Sequence, residues 1–332
     1  MLAKAGAAGG IPGRVLVFGG ATALGAQAVT RFAAGGWDVV SLDFYDSSVE
    51  CGSGVPLHTL PPVIGLAAAG GGVSPPSTAA TASASAAAAA AAAAVGLGGG
   101  GGVGDPTSCR IRDAGEPLAL SLPVGAPPRS QVRIATASLA AAGYGSAAGG
   151  HLFDAVLNAT TGFAVGGIQS EDVFESMDFM VSSSLHSSVV TARLATAFLR
   201  PGGMLTFTGS VAALSPQPKL LAFAVGHAAV HQLVRSLAAA VGVDLPDGVT
   251  VVGVVPEVLD TAMHRQLNRG RADDNWTSCD VVAEKLFAWA DSGPRPPNGA
   301  LVSVTSTMVA EGRQEHAFRL INTPSYVQTA EY

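Results

Sequence analysis

Glycines and a carboxylate near the amino terminus form a pattern that can bind a dinucleotide. Gly19, Gly20 and Gly25 stand between a short apolar segment at 14–18 and an Ala-rich periodic segment. Glycine in such a turn lets the backbone approach a pyrophosphate, and the N-terminus of the following helix favours its negative charge. Asp43 follows about 20 residues on, where a carboxylate accepts both adenosine ribose hydroxyls and repels a 2′-phosphate. These residues predict a dinucleotide site that prefers NADH over NADPH.

Simpler interpretations of the same residues stay open. The glycine spacing departs from G-x-G-x-x-G, and a chain with 42 glycines produces such strings by chance. Asp43 is also a reasonable solvated turn residue. The prediction therefore depends on both features occurring within one strand–turn–helix–strand unit.

Other residues that could carry chemistry give weaker signals. The i, i+4 spacing of His227 and His231 is that of two metal ligands on one helix face, but no carboxylate completes such a motif, so we predict no metal site. Three cysteines, Cys51, Cys109 and Cys279, are odd in number and lack C-x-x-C spacing. Neither a disulfide framework nor a zinc site is indicated, and we expect a reduced, intracellular chain.

Alternating strands and helices must position these residues. Apolar runs predict strands at 14–18, 37–43, 118–122, 153–158, 204–208, 249–255 and 300–305, with helices at 24–34, 129–142, 174–199, 221–241 and 279–290. This alternation predicts an α/β fold, a doubly wound parallel sheet of about seven strands with helices on both faces. Ligands bind such a sheet beyond the carboxyl ends of its strands.

Composition divides the chain. Residues 51–104 contain no Asp, Glu, Lys or Arg, and they include nine consecutive alanines and five consecutive glycines. Such a segment buries too little apolar surface to offset the entropy of ordering. We therefore predict a single domain over 14–318, interrupted by a disordered insertion at 47–117, with a disordered N-terminus at 1–13 and a C-terminal tail at 319–332.

Charge and hydropathy exclude two classes of partner. The net charge of −6 and the lack of any Lys/Arg cluster argue against a nucleic-acid binder. The uncharged segment is made of Ala, Gly, Ser and Pro rather than large apolar residues, so we predict no transmembrane helix. Because the first strand begins at Arg14, a cleavable signal would cut into the fold. We expect a cytoplasmic protein that binds neither nucleic acid nor membrane.

Nine segments together resemble one enzyme family. They are residues 14–25, 37–43, 153–157, 193–196, 201–206, 229–233, 259–261, 276–277 and 311–313. They resemble the dihydropteridine reductases of the short-chain dehydrogenase/reductase superfamily, over roughly residues 14–46 and 118–318. The resemblance implies a Rossmann fold, a homodimer, and NADH-dependent reduction of a quinonoid dihydropterin.

The resemblance also assigns binding residues. For the cofactor they are Gly19, Gly20, Ala23, Leu24, Gly25, Asp43, Thr160, Pro256 and Thr261. Phe163 stands where the family has a Trp and is expected to border the pterin, although a simple core role explains it equally well. Pro256 and Thr261 also suit an ordinary Pro-containing loop. Thr22 replaces a family glycine, which tightens the loop and puts cofactor affinity in question.

One departure concerns the catalytic pair. The family carries Tyr-x-x-x-Lys on the helix after strand five, and this chain has Phe223 and His227 at those positions. Phe has no proton to give, and a neutral imidazole is a weaker electrostatic partner than Lys. Ser210 stands where the wider superfamily has a substrate-orienting Ser. One hypothesis is that Ser210 and His227 act as a proton relay; the alternative is that Phe223 and His227 merely pack or face solvent.

Three functions remain open at this stage. The first is the NADH-dependent pterin reductase, since a bound electron-poor ring needs orientation more than acid catalysis. The second is a pseudoenzyme of the same fold that binds dinucleotide or partner proteins, and Phe223 favours it. The third is a reductase of another small conjugated substrate. We expect an enzyme.

Overall fold

The computed structural model describes most of the chain outside the low-complexity segment. The described residues are 13–45, 117–145, 150–309 and 313–321. The predictions for the N-terminal segment, the insertion and the tail lie outside these residues, apart from Gly13, Pro117 and residues 319–321. Cys51 and Cys109 also lie outside them.

Eight strands form the main sheet. They are β1 (Arg14–Phe18), β2 (Asp38–Tyr45), β3 (Leu118–Pro123), β4 (Phe153–Asn158), β5 (Leu199–Thr208), β6 (Thr250–Pro256), β9 (Ala300–Val309) and β10 (Arg313–Leu320). Their order is β10-β9-β6-β5-β4-β1-β2-β3, and every pair is parallel except β9 with β10. A separate parallel pair joins β7 (Leu259–Asp260) to β8 (Thr277–Ser278).

Helices cover both faces of this sheet. They are α1 (Ala23–Ala34), α2 (Pro128–Ala141), α3 (Val173–Met180), α4 (Ser187–Phe198), α5 (Leu221–Ala239), α6 (Ala262–Leu267) and α7 (Cys279–Asp291). A π turn at Val181–His186 joins α3 to α4, and a 3₁₀ turn at Val211–Leu214 follows β5. One apolar cluster packs α1 and α7 on the sheet, and a larger cluster packs α2, α4 and α5 on the opposite face.

Sequence explains why these elements form. Val15 to Phe18 is fully buried, as a central strand requires when helices cover both sides. Leu24, Ala28 and Phe32 recur every four residues and give α1 one apolar face, which is buried. Gly36 has φ +76°, which ends α1 in a conformation that favours glycine.

The order of the strands creates a switch point between β1 and β4. Both β2 and β4 pair with β1, so that Phe18 lies opposite Leu42 on one side and Asn158 on the other. The residues that follow these strands therefore meet at one edge of the sheet. In doubly wound sheets, this edge holds the ligand crevice.

The doubly wound α/β fold is confirmed, and three details of the prediction are wrong. An eighth, antiparallel strand, β10, was missed, and it extends past the predicted domain limit at residue 318; as a half-exposed edge strand it lacks a continuous apolar run. The pair β7–β8 was also missed, because two-residue strands leave no pattern. The helix predicted at 174–199 is interrupted by the π turn. A π turn adds one residue to a helical turn but needs no particular residue type, so the sequence pattern does not reveal it.

Candidate functional site

The glycine loop, residues 19–25, is folded so tightly that its three glycine positions leave little room for a side chain. Gly19 has φ +83°, and a Cβ there would lie 2.9 Å from the Thr160 backbone nitrogen. A Cβ on Gly25 would overlap the carbonyl oxygen of Gly19, and one on Gly20 would overlap the Ser41 side chain. Glycine is therefore required at Gly19 and Gly25, where a side chain would meet backbone atoms, whereas at Gly20 the Ser41 side chain would have to move.

Thr22 caps α1 and closes the loop. Its Oγ1 accepts a hydrogen bond from the Gly25 N–H at 3.1 Å. The same hydroxyl lies within donor distance of the carbonyl oxygens of Gly19, at 2.8 Å, and Ala159, at 3.0 Å. Thr22 thus ties the loop to the segment after β4 and occupies one of the N–H groups of the first helical turn.

Two N–H groups of that turn remain for an anion. Among the residues that the structure describes, no acceptor is found for the backbone N–H groups of Ala23 and Leu24. Both stand at the helix N-terminus, where the macrodipole favours negative charge. Together with the glycine backbone, they fit a dinucleotide pyrophosphate.

Asp43 lies at the mouth of the glycine loop. Its Oδ2 accepts hydrogen bonds from the Ala21 N–H at 2.6 Å and from the Ser41 hydroxyl at 3.2 Å. These bonds hold the carboxylate against the loop. The structure therefore places the predicted carboxylate beside the predicted loop.

The segment after β4 forms the opposite wall of the crevice. Asn158 is buried, and its Oδ1 accepts hydrogen bonds from the N–H and the hydroxyl of Thr160, at 3.0 and 2.8 Å. Its Nδ2 donates to Thr191 Oγ1 of α4 at 3.0 Å. This network fixes Thr160 against Gly19 and leads the chain on to Thr161, which is exposed.

Beyond the loop, five flat side chains pack edge to face in a row, which we call the aromatic row. Its members are Trp276, His264, Phe163, Phe223 and His227. Successive ring centroids lie 5.9, 5.3, 5.1 and 4.5 Å apart. The row joins α5, the segment after β4, α6 and the chain just before β8. It brings Phe163, predicted to border the substrate, into contact with Phe223, predicted to stand at the position of the family Tyr.

His227 is buried and neutral at physiological pH. Its side chain is 1% exposed, and its Nε2 lies 3.1 Å from Thr161 Oγ1. Burial first, and then the charge of His231, lower the pKa of His227 to about 3, while the Thr208 backbone raises it. Within the described residues, Nδ1 has no partner that meets ordinary hydrogen-bond geometry. The Thr208 backbone therefore opposes the shift only weakly, and burial is the largest cause of the lowered pKa.

His231 supports the turn that carries Ser210. Its Nε2 accepts a hydrogen bond from the Ser210 N–H at 3.3 Å. The Ser210 hydroxyl accepts from the Ala212 N–H, also at 3.3 Å, and caps the 3₁₀ turn. Burial first, and then Arg235, lower the pKa of His231 to about 4.

The comparisons with known proteins agree on the class of fold. A family model described as Enoyl-(Acyl carrier protein) reductase matches residues 149–285. A short-chain dehydrogenase from Burkholderia cenocepacia J2315, solved in complex with NADP, superposes with a TM-score of 0.55 at 22% identity, over 88% of this chain and 95% of that chain. A short-chain dehydrogenase/reductase from Serratia marcescens BCRC 10948 gives 0.55 at 20% identity over the same shares. These structures show the shared fold.

A curated relative narrows the resemblance. Dihydropteridine reductase of Dictyostelium discoideum is 35% identical over 150 residues. This alignment spans 45% of the present chain and 64% of the relative. The chain has the short-chain dehydrogenase/reductase fold and resembles dihydropteridine reductase.

Within this short-chain dehydrogenase/reductase fold, the predicted cofactor residues meet at the switch point. Gly19 lies against Thr160, and Asp43 binds the loop through the Ala21 N–H, with Ala23 and Leu24 in the first turn of α1. Pro256 is buried at the end of β6. Thr261 caps α6: its Oγ1 accepts from the His264 N–H at 3.2 Å and lies 2.9 Å from His264 Nδ1.

The predicted catalytic residues divide into two groups. Phe223 and His227 face each other on α5, as the spacing of four requires. Ser210 does not join them: in the described part of the chain its hydrogen bonds go to His231 and Ala212, and those of His227 go to Thr161. A direct relay between Ser210 and His227 therefore has no contact in this reductase fold, and the relay stays a prediction.

Sequence reasoning missed Asn158, Thr161 and His264. Asn158 ends a strand and Thr161 follows it, which on this fold is the signal for a residue at the ligand edge. His264 gave no signal, because its neighbours Phe163 and Trp276 come from other segments.

The remaining surface features lie away from this crevice. A groove of about 590 Å³ between α1 and α7 contains Gln27, Arg31 and Glu284, and it includes none of the predicted site residues. In the described ranges, no cluster of three or more His, Cys, Asp or Glu side chains has the arrangement of a metal site. No helix among the described residues is both long and apolar enough to span a bilayer.

Proposed function

We propose that this chain is a reductase of quinonoid dihydropterins that uses a nicotinamide dinucleotide, with NADH preferred. The observation that carries the proposal is the junction of the glycine loop, Asp43 and the aromatic row at one switch point. The similarity to dihydropteridine reductase supports the pterin as substrate.

On the cofactor side, each residue has a role that follows from its position. The N–H groups of Ala23 and Leu24 at the N-terminus of α1 would hold the pyrophosphate. The carboxylate of Asp43 would accept the adenosine ribose hydroxyls, and its charge would repel the 2′-phosphate of NADPH. Several solved proteins of this fold carry NADP, so this preference rests on Asp43.

On the substrate side, the row would hold a flat pterin by ring contacts. Phe163 and Phe223 offer apolar ring surface, and His264 and Trp276 extend it. A bound nicotinamide dinucleotide would supply a hydride, which carries two electrons. The quinonoid dihydropterin also takes up one proton, giving tetrahydropterin and oxidised dinucleotide. With no phenol on Phe223, water supplies that proton, and holding the two rings together is the main contribution of the protein.

A pseudoenzyme is the second candidate, and Phe223 favours it. The phenol of the resembled family would act from this position, and general acid help of this kind is worth about 10²- to 10⁴-fold in rate. Its loss leaves either a slow reductase or a chain that binds dinucleotide without turnover. Partner proteins would then be its targets.

Turnover distinguishes the two candidates. Purified protein receives NADH and freshly generated quinonoid dihydropterin, and the loss of nicotinamide absorbance is compared with the uncatalysed background. We expect wild type to exceed background and Phe223→Tyr with His227→Lys to be faster. Phe223→Tyr alone is included, because an ammonium in place of buried His227 could destabilise the fold. If wild type stays at background while either variant turns over, the reductase proposal fails and the pseudoenzyme stands.

We further propose that the protein acts as a homodimer through α3, α4 and α5. Phe174 on α3 is 78% exposed, and Val189 and Val225 on the other two helices are also exposed. Apolar side chains of this size on neighbouring helices suit contact with a second copy. Analytical ultracentrifugation of wild type and Val225→Glu tests this, with a shift to monomer expected. The cytoplasmic location stays a prediction.

A further inference from the structure

One contact of the crevice has no role in the chemistry described above. Buried His227 directs its Nε2 to the hydroxyl of Thr161 at 3.1 Å, whereas Thr161 itself is exposed. A long-range hydrogen bond between a buried imidazole and an exposed hydroxyl fixes the hydroxyl in place. It therefore presents a polar group at a defined point of the wall.

Thr161 lies between the two halves of the crevice. Its neighbour Thr160 contacts Gly19 of the glycine loop. Two residues later, Phe163 packs on Phe223 and His264 in the aromatic row. A ring bound along the row would therefore have its polar edge near Thr161.

After the hydrogen bond between His227 and Thr161 is made, the Thr161 hydroxyl can still bind a ligand. A neutral imidazole has one N–H and one lone pair, and a hydroxyl donates once and accepts twice. If Nε2 carries the hydrogen, it donates to Thr161 Oγ1, whose own hydrogen can point to the Gly162 carbonyl, at 3.2 Å, or to a ligand. If Nε2 is the acceptor, Thr161 donates to it and keeps an acceptor site for the ligand.

We propose that Thr161 is the hydrogen-bonding residue on the substrate side of the crevice, and that His227 is its positioning residue. The pair orients the polar edge of the pterin, so that the ring lies flat along the row. This inference rests on the proposed function and names which residue recognises its substrate. Thr161 thus supplies the hydrogen-bonding group that the Phe223 side chain lacks.

Three measurements on isosteric variants test the assignment. Thr161→Val removes the hydroxyl and keeps the shape, and Thr161→Ser restores the hydroxyl. For each variant we measure the Kd of a stable 7,8-dihydropterin, the Kd of NADH alone, and kcat and KM with quinonoid dihydropterin. We expect Thr161→Val to weaken dihydropterin binding and raise KM by about 3- to 10-fold, as for one lost hydrogen bond. The Kd of NADH should stay within twofold of wild type, and Thr161→Ser should restore pterin binding.

A double-mutant cycle tests the positioning role of His227. His227→Leu alone should weaken dihydropterin binding, and adding Thr161→Val to it should have little further effect, because the hydroxyl has already lost its partner. Additive effects would remove His227 from this role.

The outcomes separate this inference from the proposed function. If wild type turns over and Thr161→Val behaves like wild type, the inference fails alone. If Thr161→Val weakens NADH binding as much as pterin binding, Thr161 serves the cofactor and the inference is wrong. Wild type that binds dihydropterin with the expected Thr161 dependence but does not turn over refutes the reductase and keeps the inference. Absence of any dihydropterin binding overturns both.

Discussion

The two halves of the crevice are built in different ways. The glycine loop offers backbone groups to the proposed dinucleotide, and its shape depends on the absence of side chains at Gly19 and Gly25. The aromatic row is made of side chains from α5, the segment after β4, α6 and the chain just before β8. A backbone site keeps its shape when side chains change, whereas a side-chain site changes with each substitution. Substitutions at Phe223 or His227 would therefore alter the row and leave the loop intact.

The largest effect is expected where the backbone half is most crowded. Gly25→Val places a branched side chain against the Gly19 carbonyl, so the loop must open. We expect a loss of about 1–3 kcal/mol in the free energy of unfolding, as for overpacking, and loss of measurable NADH binding. Chemical denaturation and equilibrium titration check both.

The matched control changes a glycine outside the crevice. Unlike Gly25, Gly36 has a positive φ, and a Cβ there has no atom within 4 Å. Gly36→Asn, which tolerates this conformation, should bind NADH like wild type. Undiminished NADH binding by Gly25→Val would show that the dinucleotide does not use this loop.

The second prediction concerns the side-chain half and the charge of His227. The pKa of His227 is lowered from its ordinary value of 6.5 to about 3. Between these values the unfolded chain binds a proton that the folded chain does not, so the free energy of unfolding decreases as pH falls. The slope reaches about 1.4 kcal/mol per pH unit for one such histidine, and the contribution is complete above pH 6.5. His231, whose pKa is about 4, adds to it over the same range.

His227→Gln should therefore flatten the dependence of stability on pH between about 6.5 and 4. Denaturant titrations at several pH values measure the slope. His186→Gln, which removes an exposed imidazole, serves as the control variant. An unchanged slope in His227→Gln would mean that folding does not lower the pKa of His227.

The fold was predictable from sequence where burial is complete. The central strands β1 and β6 contain continuous apolar runs, and Gly35–Gly36 marks the end of α1. Edge strand β10 was not predictable in this way, because its residues are exposed or only partly buried and form no continuous apolar run. The π turn in the long helix also left no signal in composition.

In the candidate site as well, local features were predictable from sequence and contacts between distant segments were not. The spacing of Gly19 and Asp43 within one strand–turn–helix–strand unit is local, and the structure joins them through the Ala21 N–H. Thr161 and His227 are separated by 66 positions, and only packing of α5 against the segment after β4 brings them together. Contacts of that kind depend on tertiary structure, so a single sequence does not reveal them.

The third prediction tests the carboxylate that borders the glycine loop. Asp43→Ala should raise the Kd of NADH by about tenfold, as for one hydrogen bond to a charged group, and should bring the affinities for NADH and NADPH closer together. Asp43→Asn keeps the shape and the acceptor oxygen but removes the charge. It should therefore recover part of the NADH affinity while still admitting the 2′-phosphate. An unaltered ratio of the two affinities in both variants would exclude Asp43 from cofactor selection.

The smallest effect is expected in the middle of the row. Phe163→Leu keeps apolar volume but removes ring contacts with Phe223 and His264, whose centroids lie 5.1 and 5.3 Å away. Aromatic pairs contribute about 0.5–1.5 kcal/mol beyond area, so we expect dihydropterin binding to weaken by a few fold. NADH binding should not change, because the glycine loop uses none of these rings. Phe163→Trp should bind dihydropterin at least as well as wild type. Equal weakening of NADH and dihydropterin binding by Phe163→Leu would show that the two halves are one coupled site and not two independent ones.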